Sequence, residues 1–80
     1  MALKLVFLGR LEDVAGEAER LVLHVPSYVQ VLAELETELV IALSDPRVRL
    51  AVNGDLITDR EALVLADGGE LAFLPPVSGG

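Results

Sequence analysis

The chain has 80 residues, 52% of them hydrophobic and 24% charged, a balance far from the polar profile of a disordered polymer. Its 13 acidic and 6 basic side chains give a net charge of -7, which repels backbone phosphates and argues against a nucleic-acid ligand. It contains no cysteine, which excludes disulfides, thiolate nucleophiles and cysteine-ligated metal centres.

A chain of this length is expected to form one domain, residues 1–80, burying only about 60 to 65% of its unfolded surface. That leaves room for one small core and little for a deep catalytic cavity. The apolar start, MALKLVFLGR, is too short for a signal-peptide core or a membrane span, so no membrane association and a cytoplasmic location are expected.

Residues Ala2 to Leu8 read as a strand, with Leu3, Leu5 and Phe7 on one face at period two. The stretch Gly9 to Glu19, with two glycines and four carboxylates, reads as a loop or irregular turn. Alternation resumes over Arg20 to Val25, predicting Leu21, Leu23 and Val25 inward and Arg20, Val22 and His24 outward, in a hairpin with the first strand. After Pro26 the period changes. Leu32, Leu35, Leu39 and Leu43 form one stripe of a helix running to about Leu43, opened by a Ser27/Gln30 capping box or a start three residues later. Ser44, Asp45 and Pro46 stop it.

Val48 to Val52 is predicted as the third strand, closed by Asn53-Gly54, a dipeptide suited to the positive φ values of a tight hairpin. Leu56 and Ile57 form the short return, Thr58 to Leu63 one helical turn, and Asp67 to Gly69 another turn. The last strand is Glu70 to Leu74, with Leu71 and Phe73 inward. One main helix between two hairpin-like halves predicts an α+β fold, the β-grasp or ubiquitin-like arrangement. Its mixed sheet has four to five strands, the helix covers one face, and the first and last strands run side by side in parallel. A ferredoxin-like plait would need a second full-length helix, for which Thr58 to Leu63 is too short.

Side-chain catalysts are scarce. His24 stands alone beside no nucleophile partner and reads as a surface residue. Glu12, Asp13, Glu17 and Glu19 read as a solvated acidic loop, Glu34, Glu36 and Glu38 as a solvated helix face, and Gly68-Gly69 as a plain turn. No metal site is predicted.

The C-terminal FLPPVSGG is more informative. Two glycines in succession at the end arise by chance in roughly 0.5% of chains at average composition. Pro75 and Pro76 fix φ and donate no backbone hydrogen bond, so they end the sheet and project residues 75–80 as a flexible but stiff-based tail. Pro75 to Gly80 reach at most about 20 Å, enough to enter another protein's active site. Gly79 and Gly80 can pass a narrow channel.

DGGELAFLPPVSGG resembles the end of the small, sulfur-carrier subunit of molybdopterin synthase. KLVFLGRLEDVAG at Lys4 to Gly16 and LAVNGDLI at Leu50 to Ile57 resemble that family's first and third strands with their loops. The resemblance implies that the terminal carboxylate of Gly80 is joined to AMP by a ubiquitin-activator-like adenylating enzyme using ATP and Mg. A sulfur donor such as a cysteine desulfurase then makes the thiocarboxylate. It further implies that Pro75, Pro76, Val77, Ser78 and Gly79 carry Gly80 into the large synthase subunit, in a heterotetramer of two small and two large chains. There sulfur passes to cyclic pyranopterin monophosphate. The chain itself would bind no cofactor and catalyse nothing alone. Gly69 departs from the family, which usually has an acidic residue there, and Gln30 stands where the family often has threonine.

Leu8, Leu56 and Leu74 are expected to form an exposed apolar patch for docking. Two other functions stay open: a ubiquitin-like protein modifier, or a sulfur carrier for thiamine or tRNA thiolation. A passive binding module is a third.

Overall fold

In the computed structural model, residues 2–59 and 63–75 are described, and everything below concerns those. The elements in chain order are β1 (Ala2–Phe7), α1 (Arg10–Ala15), β2 (Glu19–Leu23), α2 (Tyr28–Ala33), α3 (Thr37–Leu43), β3 (Arg49–Val52), β4 (Asp55–Ile57) and β5 (Glu70–Leu74). The strands form one mixed sheet in the order β2-β1-β5-β3-β4. β1 and β5 run parallel at its centre, and the β1-β2, β3-β4 and β3-β5 pairs are antiparallel. This is the expected β-grasp.

Alternation is what places the core. Leu3, Leu5 and Phe7 of β1, Leu71 and Phe73 of β5 and Leu50 of β3 are buried on one face, against Val31 of α2 and Leu39 and Leu43 of α3. Each fully buried leucine or phenylalanine is worth about 1.5–3 kcal/mol. Phe7 and Phe73 face each other in register across the parallel pair, their rings stacked at 5.4 Å and 6°. Asn53 (φ 50) and Gly54 (φ 90) take the positive φ values their turn requires. The Asn53 Oδ1 also accepts the Glu70 N–H at 2.9 Å, tying the hairpin to β5.

Three expectations are corrected. The stretch after β1 is not a loop throughout: Arg10–Ala15 is helical, closed by Gly16 in the left-handed conformation, with Leu11 buried beneath it. The long helix is two short ones. At its middle the bonds tighten to Glu34 N–H to Val31 O and Leu35 N–H to Leu32 O, and Glu36 becomes extended. Leu39 and Leu43 are buried as the stripe requires, while Leu32 and Leu35 pack from the edge of the core. Ser27 does cap the first helix, accepting the Gln30 N–H at 3.3 Å.

The third correction reverses the faces of β2. Val22 lies opposite Leu3 and packs on the core, whereas Leu21 and Leu23 are 73% and 76% exposed on the helix-free face. Arg20 makes this register possible. It occupies the helix-covered side with its guanidinium 5.7 Å from the Phe7 ring centroid. There it donates to the Ala15 carbonyl (2.9 Å), Glu17 (2.7 Å) and Glu36 (2.9 Å). His24 is half-buried rather than outward, its Nε2 donating to the Leu65 carbonyl at 2.8 Å. Of the predicted turn Thr58 to Leu63, residues 60–62 lie outside the described residues.

Candidate functional site

Every strand leaves one face of the sheet uncovered by helices, and the register orders what stands on it. Lys4 of β1 lies between Leu21 of β2 and Glu70 of β5. It pairs with Glu19 at 3.4 Å and Glu70 at 3.8 Å. The next row runs Glu19, Val6, Ala72, Ala51, Leu56. Beyond it Leu74 of β5 lies opposite Arg49 of β3, with Leu8 just past the end of β1 on the other side.

Parallel pairing brings β1 and β5 out at the same end, so the first tail residue meets the first residues after β1. The Leu8 N–H donates to the Phe73 carbonyl at 3.1 Å, extending the ladder by one bond. Gly9 then turns with φ 56 and ψ -134, a conformation that favours glycine. A Cβ built on Gly9 would stand 2.9 Å from Pro75 Cγ. The ring of Pro75, the first residue after β5, is therefore seated on a bare Cα.

Of the residues singled out in the sequence, Leu8 (42% exposed), the half-buried Leu74 and Leu56 (66% exposed) do share one face. Leu8 and Leu74 are neighbours. Leu56 lies two strands from Leu74, with Ala51 and Arg49 of β3 between them. Pro76, Val77, Ser78, Gly79 and Gly80 lie outside the described residues. Arg49 and Gly9 were not singled out. The alternation over Val48 to Val52 did place Arg49 outward, but nothing in it says that its neighbour is the last residue before the prolines.

The carboxylates of the 12–19 stretch are surface groups. Glu12 and Asp13 occupy the first turn of α1, where they complement the helix dipole, and Glu17 and Glu19 pair with Arg20 and Lys4. The Arg20 hydrogen bond holds the Glu36 carboxyl below its usual range, and Glu36 and Glu17 in turn raise Arg20. Asp45 is lowered to about 2 by hydrogen bonds from the Arg47 side chain and backbone. Among the described residues no group of three or more acidic or histidine side chains is placed to hold a metal ion. No helix among them is long and apolar enough to cross a membrane. The geometry suits presentation of a chain segment beside an apolar face.

A family profile, that of the ThiS family, matches residues 5–80. The chain belongs to the ThiS family. Solved structures agree on the ubiquitin-like fold of this ThiS-family chain. It is similar to the HVO 2177 protein of Haloferax volcanii, at 29% identity and a TM-score of 0.79, over 100% of this chain and 87% of that one. SAMP1, a small archaeal modifier protein of Haloferax volcanii, matches at 24% identity and 0.73, over 100% of both chains. A complex of subunits 1 and 2 of molybdopterin-converting factor from Helicobacter pylori contains a chain matching at 24% identity and 0.67, again over 100% of both. No curated protein matches.

Proposed function

We propose that this ThiS-family chain is a sulfur carrier for molybdenum-cofactor synthesis, the small, non-catalytic partner in a molybdopterin synthase. The observation that carries the reading is the exit geometry. In a β-grasp matched by the family profile through Gly80, β5 ends at Leu74 and is followed by Pro75, seated on Gly9 beside an uncovered apolar face. A structural neighbour described as a complex of two molybdopterin-converting-factor subunits adds support.

The chemistry follows from the terminus. A carboxylate is a poor electrophile because its charge is delocalised and oxide is a poor leaving group. A ubiquitin-activator-like enzyme solves this with ATP and Mg: a Gly80 carboxylate oxygen attacks the α-phosphorus, and pyrophosphate departs. The terminal sulfur of a persulfide on a donor such as a cysteine desulfurase then attacks the acyl carbon, AMP leaves with the bonding pair, and a thiol reductant cleaves the resulting acyl disulfide to release the thiocarboxylate. The Gly80 thiocarboxylate enters the large synthase subunit, its sulfur bonds to a carbon of cyclic pyranopterin monophosphate, and water hydrolyses the resulting thioester, leaving sulfur on the substrate and returning the carboxylate. The chain has no cysteine, in keeping with sulfur carried on the backbone terminus. Pro75 and Pro76 lower the ordering cost of the tail, and Val77, Ser78 and Gly79 give it reach. Leu8, Leu56 and Leu74 are the docking patch. We place the reaction in the cytoplasm.

The neighbour SAMP1 favours a second reading, a protein modifier whose Gly80 is joined to lysines. The intact mass of the protein from its own cells separates the two. A carrier gains the difference between one sulfur and one oxygen, whereas a modifier gives ladders of conjugates. Deleting Gly80 should abolish molybdoenzyme activity while the fold persists; normal activity in that strain would reject the carrier reading.

A further inference from the structure

Three of the five described cations of this acidic chain are neutralised by its own carboxylates; of the other two, Arg10 begins α1 and Arg49 stands on the helix-free face beside the end of β5. Lys4 has two carboxylates within 3.8 Å, Arg20 has two within 2.9 Å, and Arg47 has Asp45 at 2.9 Å. Arg49 has no ion pair among the described residues. It is exposed on the helix-free face, its Cα directly opposite Leu74, one residue before Pro75. Ala51 follows on the same face, with Leu56 opposite it. An arginine without a carboxylate partner is thus embedded in the apolar surface from which the tail departs.

We propose that Arg49 is a specificity-determining residue of this face, and that the adenylating enzyme receiving the tail places a carboxylate against it. The inference rests on the carrier reading and adds the chemistry of the partner's surface. Cross-strand neighbours stand about 4.5–5.5 Å apart at Cβ, so no surface can cover Leu74 without also taking Arg49 out of water. A guanidinium desolvated without an acceptor is costly, which leaves the partner two options: leave the site wet, or supply an acceptor. A carboxylate matches the planar fork of arginine with two parallel hydrogen bonds. It also gives the encounter direction. The chain carries -7 overall, so a partner attracted at long range presents positive potential to most of it. On the helix-free face, where Lys4 is already paired, a negative spot is matched where it meets Arg49, and that favours one orientation of the docked partner.

The test uses the full-length chain and the adenylating enzyme from the same cells, with affinity measured by calorimetry at low and high salt for wild type, Arg49→Gln and Arg49→Leu. If a carboxylate faces Arg49, Arg49→Leu binds about 10- to 100-fold more weakly despite being more apolar, because the partner's charge is left unpaired. Arg49→Gln is weakened less and loses part of the salt dependence. Leucine binding as tightly as arginine would overturn the inference, as would an unchanged salt dependence in Arg49→Gln. Melting curves confirm that both variants fold. If the wild type itself does not bind, the carrier reading falls and this inference with it. Binding by wild type and Arg49→Leu alike removes only the inference.

Discussion

Gly9 shows how one residue without a side chain sets where Pro75 can lie. Its φ of 56 disfavours any L-residue by about 1–2 kcal/mol, and a methyl group there would stand 2.9 Å from Pro75 Cγ. Gly9→Ala should therefore cost about 1–3 kcal/mol of stability and displace Pro75. Adding Pro75→Ala should restore the part due to the collision but not the part due to φ, and chemical denaturation of the two single variants and the double measures each. Gly69 has a related constraint with no unusual φ: a Cβ there would lie 2.9 Å from the Ala66 carbonyl oxygen. The departure from the usual acidic residue at this position therefore fits the close backbone. Leu74 belongs to the face rather than the core. Leu74→Glu should weaken binding to both the adenylating enzyme and the large subunit by about tenfold or more, near 1.4 kcal/mol, while leaving the fold intact. Unchanged affinities by calorimetry would remove the docking patch. Phe73, one residue earlier, is wholly buried, and Phe73→Ala should cost about 3–5 kcal/mol, close to unfolding a domain of this size.

At the scale of elements, legibility followed how cleanly each pattern separates its two faces. β1 and β5 alternate without ambiguity, and the Asn53-Gly54 turn names its own geometry, so all three were readable. β2 was readable as a strand but not in register, because Leu21, Leu23 and Val25 form a more apolar set than Arg20, Val22 and His24. What decided the register is tertiary: Arg20 finds Glu17, Glu36, the Ala15 carbonyl and the Phe7 ring on the covered side. The helix break at Glu36 was invisible for a similar reason, since no glycine or proline marks it and the Arg20 contact lies 16 residues away. Arg20→Met should cost about 1–3 kcal/mol by leaving that cluster without its centre. The same pair carries a pH dependence. The Arg20 hydrogen bond holds Glu36 below the usual glutamate value, and Asp45 is lowered from 3.8 to about 2. A carboxyl depressed in the folded state adds stability above its unfolded pKa and loses it as pH falls through the folded one. Melting temperatures should thus hold steady down to about pH 4.5 and fall towards pH 2, and the deficit of Arg20→Met should narrow over that window. A deficit that stays constant would show that Arg20 acts through packing rather than charge.

For the whole molecule, the order of elements was enough to foresee a β-grasp with its first and last strands parallel, because short connections and one covered face leave few alternatives. That topology is also what makes a tail site possible: a central parallel pair ends both strands together, so the exit of β5 is buttressed by the turn after β1. That Leu8, Leu56 and Leu74 share one face was legible in the alternation, but the place of Arg49 beside Leu74 was not, because that neighbour belongs to a strand over 20 residues away in sequence. The central claim concerns an atom at the terminus rather than any side chain. It is tested most directly by incubating the purified chain with its adenylating enzyme, ATP, Mg and a sulfide source, then weighing the intact protein. The account predicts a mass gain equal to sulfur less oxygen, located on Gly80 and absent when Gly80 is deleted. An unchanged mass, with the enzyme shown to bind the chain and hydrolyse ATP in its presence, would contradict it.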